Sequence, residues 1–269
     1  MQYKIVFTDL DGTLLSRKKD ISDFTATHLR KLQETIPVIL VSARMPKAMA
    51  YVQSQIDGTD LPLICYNGAL IMRENNIIFS KTIEPSTTYN LYESCLDLEI
   101  KLGLYHLDEW YTETVTERIE KEIFNTKTKP SLSPLNTVLQ NFMMQQKGFH
   151  KIMCMGTKEK LDLLSRILDD TFSDSILQYR SNDTIIELSP QGTSKFKAIE
   201  NVLQNLYQLS LSDSLAFGDN FNDIEMLRCV GHGVAMANAR EEVRQVADAV
   251  AGDYQKDGVA KYVKQMFNL

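Results

Sequence analysis

Five short runs of the sequence are apolar at nearly every position instead of at alternate positions. They are residues 5–7, 38–41, 61–65, 214–217 and 233–236. Strands with this pattern are typical of a parallel sheet that helices cover on both faces. Segments with helical spacing lie between the runs, such as residues 22–34, where Phe24, Leu29 and Leu32 can share one face. The alternation of strand and helix at both ends of the chain predicts an α/β fold with a doubly wound, mostly parallel sheet.

The middle of the chain has a different character. From about residue 81 to residue 189 it is more polar and richer in Tyr, Thr and Asn. Residues 105–114 predict a hairpin, residues 149–155, 176–180 and 184–188 predict strands, and residues 161–168 predict a helix. We therefore expect an α+β domain at residues 83–188, inserted into a Rossmann-like core that is formed by residues 1–82 and 189–269.

Composition narrows the classes of partner. The 269 residues carry a formal net charge of -6, which argues against a general nucleic-acid binder or a protein that binds anionic membranes. No apolar run is long enough to span a bilayer. The four cysteines are dispersed and indicate reduced thiols, and the N-terminal residues show no signal-peptide pattern. We expect a cytoplasmic protein whose partner is a small molecule; the sequence sets no oligomeric state.

Two acidic residues follow the first apolar run directly, in the segment Asp9-Leu10-Asp11-Gly12-Thr13. Side chains two residues apart on an extended chain point the same way, so Asp9 and Asp11 are expected to converge at the carboxyl end of a buried strand, where ligands of open parallel sheets bind. Close carboxylates need a proton or a cation between them, and Mg²⁺ suits oxygen ligands. The alternative is an Asp-Gly hairpin turn, but no partner strand follows.

Three further segments carry polar side chains at the end of a predicted strand or the start of a predicted helix. In Gly218-Asp219-Asn220-Phe221-Asn222-Asp223, Asp219 can reach the same cation, while Asp223 either caps the next helix or supports the site. Ser42-Ala43-Arg44 offers a hydroxyl and backbone amides for phosphoryl oxygens, or only a helix cap. Lys195 opens a helix, where a cation is poorly placed for the helix dipole; it either meets an anion or is exposed.

Together these segments resemble the haloacid dehalogenase superfamily of aspartate-nucleophile phosphatases. Asp9 to Thr13 match its first motif, Ser42 its second, Lys195 its third, and Gly218 to Asp223 its fourth. The segments at residues 66–69, 233–239 and 257–260 resemble the Cof-type subfamily, and the inserted domain resembles its large α/β cap of class IIB. The chain has Ser-Ala-Arg where the family often has Thr-Gly-Arg, and Phe196 follows the lysine where Gly is frequent.

The resemblance implies a Mg²⁺-dependent phosphomonoester hydrolase for small phosphorylated metabolites, with sugar phosphates, flavin mononucleotide and pyridoxal phosphate among the candidates. It implies that Asp9 forms an aspartyl-phosphate while Asp11 acts as acid and base. Mg²⁺ would be bound by Asp9, by Asp11 through its backbone carbonyl, and by Asp219. The groups implied for binding the phosphoryl oxygens are Leu10 and Ala43 through their backbone, Ser42, Lys195 and Asn222, with Asp223 orienting them.

Two alternatives stay open at this stage. A phosphomutase or other phosphotransferase of the same superfamily would use the same chemistry on Asp9. A non-catalytic sensor of phosphorylated metabolites would bind the ligand without turnover. Because no Gly-x-x-x-x-Gly-Lys-Ser/Thr segment is present, a P-loop nucleotidase is disfavoured.

Overall fold

The computed structural model describes residues 3–269, which form two compact units. The strands are β1 Ile5–Asp9, β2 Val38–Val41, β3 Pro62–Cys65, β4 Leu70–Arg73, β5 Asn76–Ser80, β6 Lys101–His106, β7 Glu109–Thr112, β8 Ser131–Leu132, β9 Lys151–Met155, β10 Ile176–Asn182, β11 Ile185–Pro190, β12 Ser214–Gly218, β13 His232–Met236 and β14 Ala249–Ala251. The α-helices are α1 Asp23–Gln33, α2 Lys47–Gln55, α3 Pro85–Asp97, α4 Glu117–Thr126, α5 Leu135–Met144, α6 Lys158–Ile167, α7 Lys195–Val202, α8 Ile224–Cys229, α9 Glu241–Arg244 and α10 Gly258–Phe267.

The first unit combines the chain up to Ile78 with Ser194–Leu269. Its eight-stranded sheet has the order β14-β13-β12-β1-β2-β3-β4-β5. The strands from β14 to β3 are parallel, whereas β4 pairs antiparallel with β3. Because β1 and β12 are neighbours in the centre of the sheet, the N-terminal and C-terminal segments of this unit pair there. The predicted doubly wound α/β core is confirmed, with an antiparallel extension.

Burial explains why the core strands read as continuous apolar runs. Every residue of β1, β2, β3 and β12 is buried. The helix α1 shows the complementary pattern: the Ser22 hydroxyl accepts a hydrogen bond from the Thr25 N–H and caps the helix, and Leu29 and Leu32 are fully buried. This helix therefore begins one residue later than the predicted segment and buries the face that the spacing predicts.

The second unit comprises Phe79–Thr193. Its six-stranded sheet has the order β10-β11-β9-β6-β7-β8 and is antiparallel except for the β7–β8 pair. Residues of α3, α5 and α6 form its hydrophobic core together with one face of the sheet, including Leu91, Leu139, Leu164 and Ile152. The unit begins four residues before the predicted boundary at residue 83 and ends five residues after the predicted boundary at residue 188.

Several elements lie outside the predicted set. The strands β4, β5 and β14 have three to five residues, and four of the five residues of β5 are exposed, so none of them is buried throughout like the central strands. The helices α3, α4 and α5 lie in the polar middle of the chain. Among the described residues, no helix has the length and apolar character that crossing a membrane requires.

Candidate active site

The candidate site lies at the carboxyl ends of two central strands. The strand β1 ends at Asp9, and Asp219 follows the last residue of its neighbour β12. The parallel register pairs Thr8 with Phe217, so the carboxyl ends of both strands lie at the same edge of the sheet. Asp9, Asp219 and Asp223 each place a carboxylate oxygen within 4.8 Å of the others. The predicted neighbourhood of Asp9 and Asp219 is therefore present, and Asp223 joins it.

Lys195 is the charged partner of this acidic cluster. Its Nζ donates to Asp9 Oδ1 at 2.6 Å and to Asp223 Oδ1 at 2.6 Å. The side chain of Lys195 is 1 % exposed although it is the first residue of α7. A buried ammonium group requires compensating charge, and the two carboxylates supply it. Of the two alternatives left by the sequence, the structure therefore shows Lys195 meeting anions instead of solvent.

Asp223 is held in place from both sides. Its Oδ2 accepts hydrogen bonds from the backbone N–H groups of Asp219 at 2.9 Å and Asn220 at 3.0 Å, while Oδ1 accepts from Lys195. The carboxylate makes no capping bond to α8, but its bond from the Asn220 N–H is part of a capping box of the 3-10 turn Phe221–Asp223, so Asp223 both caps this turn and contacts the site. Gly218 permits the approach, because a Cβ there would lie 2.5 Å from the Asp223 Cβ.

Asp219 is fixed by contacts with the turn that follows β1. The Thr13 hydroxyl donates to Asp219 Oδ1 at 3.1 Å, and Asn238 Nδ2 lies 3.3 Å from Oδ2. Gly12 has φ +87°, and a Cβ at Gly12 would lie 2.3 Å from Asp219 Oδ2. Only glycine therefore fits both the backbone conformation and the space beside this carboxylate.

The acidic cluster is short of positive charge. Burial raises the pKa of Asp9 to about 8, with Asp223 and Asp219 adding to the rise and Lys195 opposing it. Burial and Asp223 raise the pKa of Asp219 to about 6. Burial alone would lower the pKa of Lys195, but Asp223 and Asp9 raise it above its usual range. The cluster holds three carboxylates and one ammonium group. Because the carboxylates offer oxygen ligands and excess negative charge, the cluster fits a hard divalent cation such as Mg²⁺.

Asp11 occupies a different environment. Its carboxylate accepts from Arg44 Nε and Nη2 at 2.7 and 2.9 Å and from Lys19 Nζ at 2.7 Å. Burial acts against ionisation, but the two cations hold the pKa of Asp11 below its usual value. The strand ends at Asp9, and the N–H groups of Leu14 and Leu15 turn back to the Leu10 carbonyl. The side-chain alternation that predicts convergence of Asp11 with Asp9 therefore stops before Asp11, whose carboxylate is not in the acidic cluster.

The loop after β2 supplies the remaining predicted hydroxyl. Ser42 is 2 % exposed, and its Oγ accepts from the Arg44 N–H at 3.3 Å, so it does not cap α2, which begins after Pro46. Ala43 is half-buried between them. The Leu10 side chain is fully buried in the core, which leaves only its backbone for any ligand. The structure thus places Ser42 and Ala43 next to Arg44, the partner of Asp11.

Asn222 contacts a residue that sequence reasoning did not place in the site. Its Nδ2 donates to Asn67 Oδ1 at 3.0 Å, and its own Oδ1 is buried with no hydrogen-bond partner among the described residues. Asn67 is 3 % exposed and has φ +53°, and its N–H donates to the Ser42 carbonyl. In the sequence, Asn67 belongs to the Tyr66-Asn67-Gly68-Ala69 segment, which resembles the Cof-type subfamily but indicates no role for Asn67 in the site. The positions of Arg44, Thr13 and Asn238 in the sequence do not indicate that Arg44 contacts Asp11 or that Thr13 and Asn238 contact Asp219.

Comparison with known proteins identifies the family. A sequence profile described as haloacid dehalogenase-like hydrolase matches residues 6–263. The chain belongs to the haloacid dehalogenase-like hydrolases. A Haemophilus influenzae relative named as a phosphatase is 30 % identical over 274 residues, which cover 99 % of both chains. The Bacillus subtilis 5-amino-6-(5-phospho-D-ribitylamino)uracil phosphatase YitU is 24 % identical over 278 residues, with 98 % of both chains covered.

Solved structures of haloacid dehalogenase-like proteins share the fold. A haloacid dehalogenase-like hydrolase from Bacteroides thetaiotaomicron superposes with a TM-score of 0.89 at 27 % identity, covering 98 % of this chain and all of that one. A subclass IIB sugar phosphatase of the superfamily has a TM-score of 0.81 at 22 % identity, covering 99 % of this chain and 100 % of that one. The predicted family and the Cof-type, class IIB architecture are confirmed, and the protein is a phosphatase of this superfamily.

Proposed function

We propose that the protein is a Mg²⁺-dependent phosphomonoester hydrolase that acts on small phosphorylated metabolites through an aspartyl-phosphate on Asp9. The observation that carries this proposal is the Lys195 ammonium group bound between Asp9 and Asp223, with Asp219 in the same buried cluster. A carboxylate nucleophile must approach a phosphate that is itself negative. The bound lysine and a cation beside Asp219 reduce that repulsion.

Hydrolysis on these residues takes two steps. In the first, a carboxylate oxygen of Asp9 attacks phosphorus, the bond from phosphorus to the ester oxygen breaks, and the alcohol leaves with a proton from Asp11. In the second, water attacks phosphorus, Asp11 takes a proton from that water, and the bond from phosphorus to the Asp9 oxygen breaks. Inorganic phosphate leaves, and Asp9 returns as a carboxylate.

The acidic cluster supports a cation site. We infer that the carboxylates of Asp9 and Asp219 and the backbone carbonyl of Asp11 are its protein ligands. Bound there, Mg²⁺ would neutralise charge on the phosphoryl oxygens and on Asp9. Asp223 acts through Lys195, which it fixes by a 2.6 Å contact while its own second oxygen is held by backbone N–H groups.

The phosphoryl oxygens need donors. We assign this role to the Ser42 hydroxyl, the Lys195 ammonium group and the Asn222 amide, with the backbone N–H groups of Leu10 and Ala43. One N–H of the Asn222 amide donates to Asn67, and an amide nitrogen carries two, so one stays available. The buried position of Ser42 favours a defined orientation of its hydroxyl.

The ion pair of Asp11 has a consequence for its two roles. While Arg44 and Lys19 hold it, Asp11 is ionised and suited to accept a proton from water. To protonate a leaving alcohol it must first gain a proton on one oxygen. We infer that Arg44 then keeps its contact with the other carboxylate oxygen and so orients the acid.

Phosphate release from a panel of metabolites tests the proposal. The panel contains sugar phosphates, flavin mononucleotide, pyridoxal phosphate and 5-amino-6-(5-phospho-D-ribitylamino)uracil, the compound in the name of the Bacillus subtilis relative. Each is assayed with Mg²⁺, with EDTA, and with the Asp9→Asn variant. We expect release that requires both Mg²⁺ and Asp9. Release that persists with EDTA or in the variant contradicts the mechanism.

A further inference from the structure

A groove of about 670 Å³ in the second unit has the opposite charge to the protein as a whole. Five cationic side chains and two anionic ones line it, whereas the chain has a net charge of -6. The cationic side chains are Lys101, Arg118, Lys121, Lys158 and Lys160, and the anionic ones are Glu99 and Glu117. A recess with an excess of one sign of charge concentrates ligands of the opposite sign. The groove therefore selects for anions.

The groove lies at one end of the second sheet. Met155, the last residue of β9, pairs with Lys101 at the start of β6 and with Ile185 at the start of β11. The β11 strand runs from there toward Thr193, where this unit ends. All the residues that line the groove belong to the second unit, whereas Asp9, Lys195 and Asp219 belong to the first. The groove is thus a separate set of residues from the candidate active site.

Two of the cations have a glutamate in the same groove but make no direct ion pair with it. Lys121 pairs with Glu117, Lys158 with Asp162 and Lys160 with Glu99. Neither Lys101 nor Arg118 makes an ion pair with any residue that the structure describes. Arg118 is half-buried and donates to the uncharged Thr184 hydroxyl, which orients its guanidinium group at the groove. A partly buried, oriented arginine without a carboxylate partner favours an external anion.

Helix geometry adds donors to the same recess. The α4 and α6 helices begin at the groove, and Thr116 and Thr157 cap them by accepting from the Ile119 and Lys160 N–H groups. Further N–H groups of each first turn have no acceptor within their helix, and the positive ends of both dipoles lie at the groove wall. Phosphate groups match such a combination of helix ends, arginine and lysine.

We propose that this groove binds a small anion that carries more than one phosphate group. Its volume exceeds what a single phosphate fills and lies in the range of sites for small molecules. The cations lie on α4, α6 and β6, so a ligand with spaced phosphate groups contacts more of them than inorganic phosphate does. This proposal is independent of the reaction at Asp9.

Calorimetric titration with inorganic tripolyphosphate in EDTA at low ionic strength tests the site. We compare the wild type with the Lys101→Gln/Arg118→Gln double variant, with Lys101→Gln alone, and with Lys129→Gln, which removes an exposed lysine of the same unit outside the groove. We expect saturable binding to the wild type and to Lys129→Gln. Affinity is expected to fall by about tenfold or more in the double variant and by less in Lys101→Gln.

Added salt is expected to weaken the wild-type binding, since the groove is open to solvent and its charges are screened. Turnover of p-nitrophenyl phosphate with Mg²⁺ serves as the folding control and is expected to be unchanged in the double variant. Equal affinity of the double variant and the wild type would place the tripolyphosphate elsewhere and overturn the proposal. Absence of saturable binding to the wild type would overturn it as well.

Discussion

The guanidinium group of Arg44 holds the carboxylate of Asp11 through two hydrogen bonds, from Nε to Oδ2 at 2.7 Å and from Nη2 to Oδ1 at 2.9 Å. Arg44 is itself 4 % exposed and is anchored by donating to the Ala48 carbonyl and the Tyr51 hydroxyl. The group that we propose gives and accepts a proton is therefore fixed by a neighbour with a permanent charge. This pair sets the starting position of Asp11 in the proposed reaction.

Replacement of Arg44 tests this relationship. We expect Arg44→Gln to lower kcat for an alkyl phosphate by about 10²-fold, the usual size of a general acid–base contribution, because Asp11 loses its orientation. The loss for p-nitrophenyl phosphate is expected to be smaller, since that leaving group needs less protonation. Lys19→Gln is the matched control: it removes one contact to Asp11 Oδ1 and leaves both contacts from Arg44. Equal rates for Arg44→Gln and the wild type on both esters would show that Arg44 does not position Asp11.

Lys195 is expected to support stability as well as activity. The Lys195→Met variant keeps the side-chain length but leaves Asp9 and Asp223 buried without their cation. Removing one partner of a buried ion pair costs about 3–5 kcal/mol. Urea unfolding without Mg²⁺ measures this cost, and phosphate release measures the loss of turnover. Lys197→Met, two residues along the same helix and exposed, is the control. A Lys195→Met variant as stable and active as this control would show that Lys195 supports neither stability nor turnover.

Gly12 is predicted to be sensitive to a single methyl group. In Gly12→Ala the new Cβ would lie 2.3 Å from Asp219 Oδ2 on a backbone with φ +87°. We expect a loss of about 1–3 kcal/mol from backbone strain, together with a higher Mg²⁺ concentration for half-maximal activity, since Asp219 is displaced. Gly252→Ala provides the contrast, because the nearest atom to its Cβ would be 3.5 Å away. Unchanged Mg²⁺ dependence in Gly12→Ala would show that Asp219 is not a ligand of the metal.

Stability is expected to depend on pH through His150. Burial and the neighbouring His106 lower the pKa of His150 from 6.5 to about 3. The Leu107 N–H donates to Nδ1, so Nε2 carries the proton that faces Ser80 Oγ at 3.0 Å. Between pH 6.5 and about 3 the unfolded chain binds a proton at His150 that the folded chain does not. The free energy of unfolding therefore falls with decreasing pH in this window, by up to about 1.4 kcal/mol per pH unit, and His150 contributes no pH dependence above it.

Urea unfolding of the wild type and of His150→Gln between pH 7.5 and pH 5 measures this term. The variant is expected to be less stable at pH 7.5, because it loses the packing of the ring, but to show a shallower decline toward pH 5. Parallel pH profiles for the two proteins would show that His150 does not bind the additional proton on unfolding.

The sequence predicts the central strands and the neighbourhood of Asp9 and Asp219 because both follow from local rules. Buried parallel strands are apolar throughout, and ligands gather at their carboxyl ends. Such rules do not extend past the end of a strand. The direction of Asp11 depends on the turn at Leu10 and on Arg44, which is 33 residues away in the chain.

The burial of Lys195 shows a second limit. At the start of a helix the sequence leaves two alternatives for this lysine, an anionic partner or exposure, and nothing within α7 identifies the partner. Its environment is set by Asp9 and Asp223, which are 186 and 28 residues away. The contact of Asn67 with Asn222 joins residues that are 155 positions apart and is equally invisible to local patterns. The short strands β4, β5 and β14 are missed for a different reason: they lie at or next to an edge of the sheet, and none of them is buried along its whole length.

The account depends most on Asp9 as the nucleophile, and acid quench during turnover tests this directly. The wild type is mixed with a substrate labelled with ³²P in the phosphate and quenched in acid, and its peptides are separated. We predict label on the peptide that contains Asp9, removed by hydroxylamine and absent from Asp9→Asn. Turnover by Asp9→Asn at the wild-type rate, or label on a peptide without Asp9, would contradict the account.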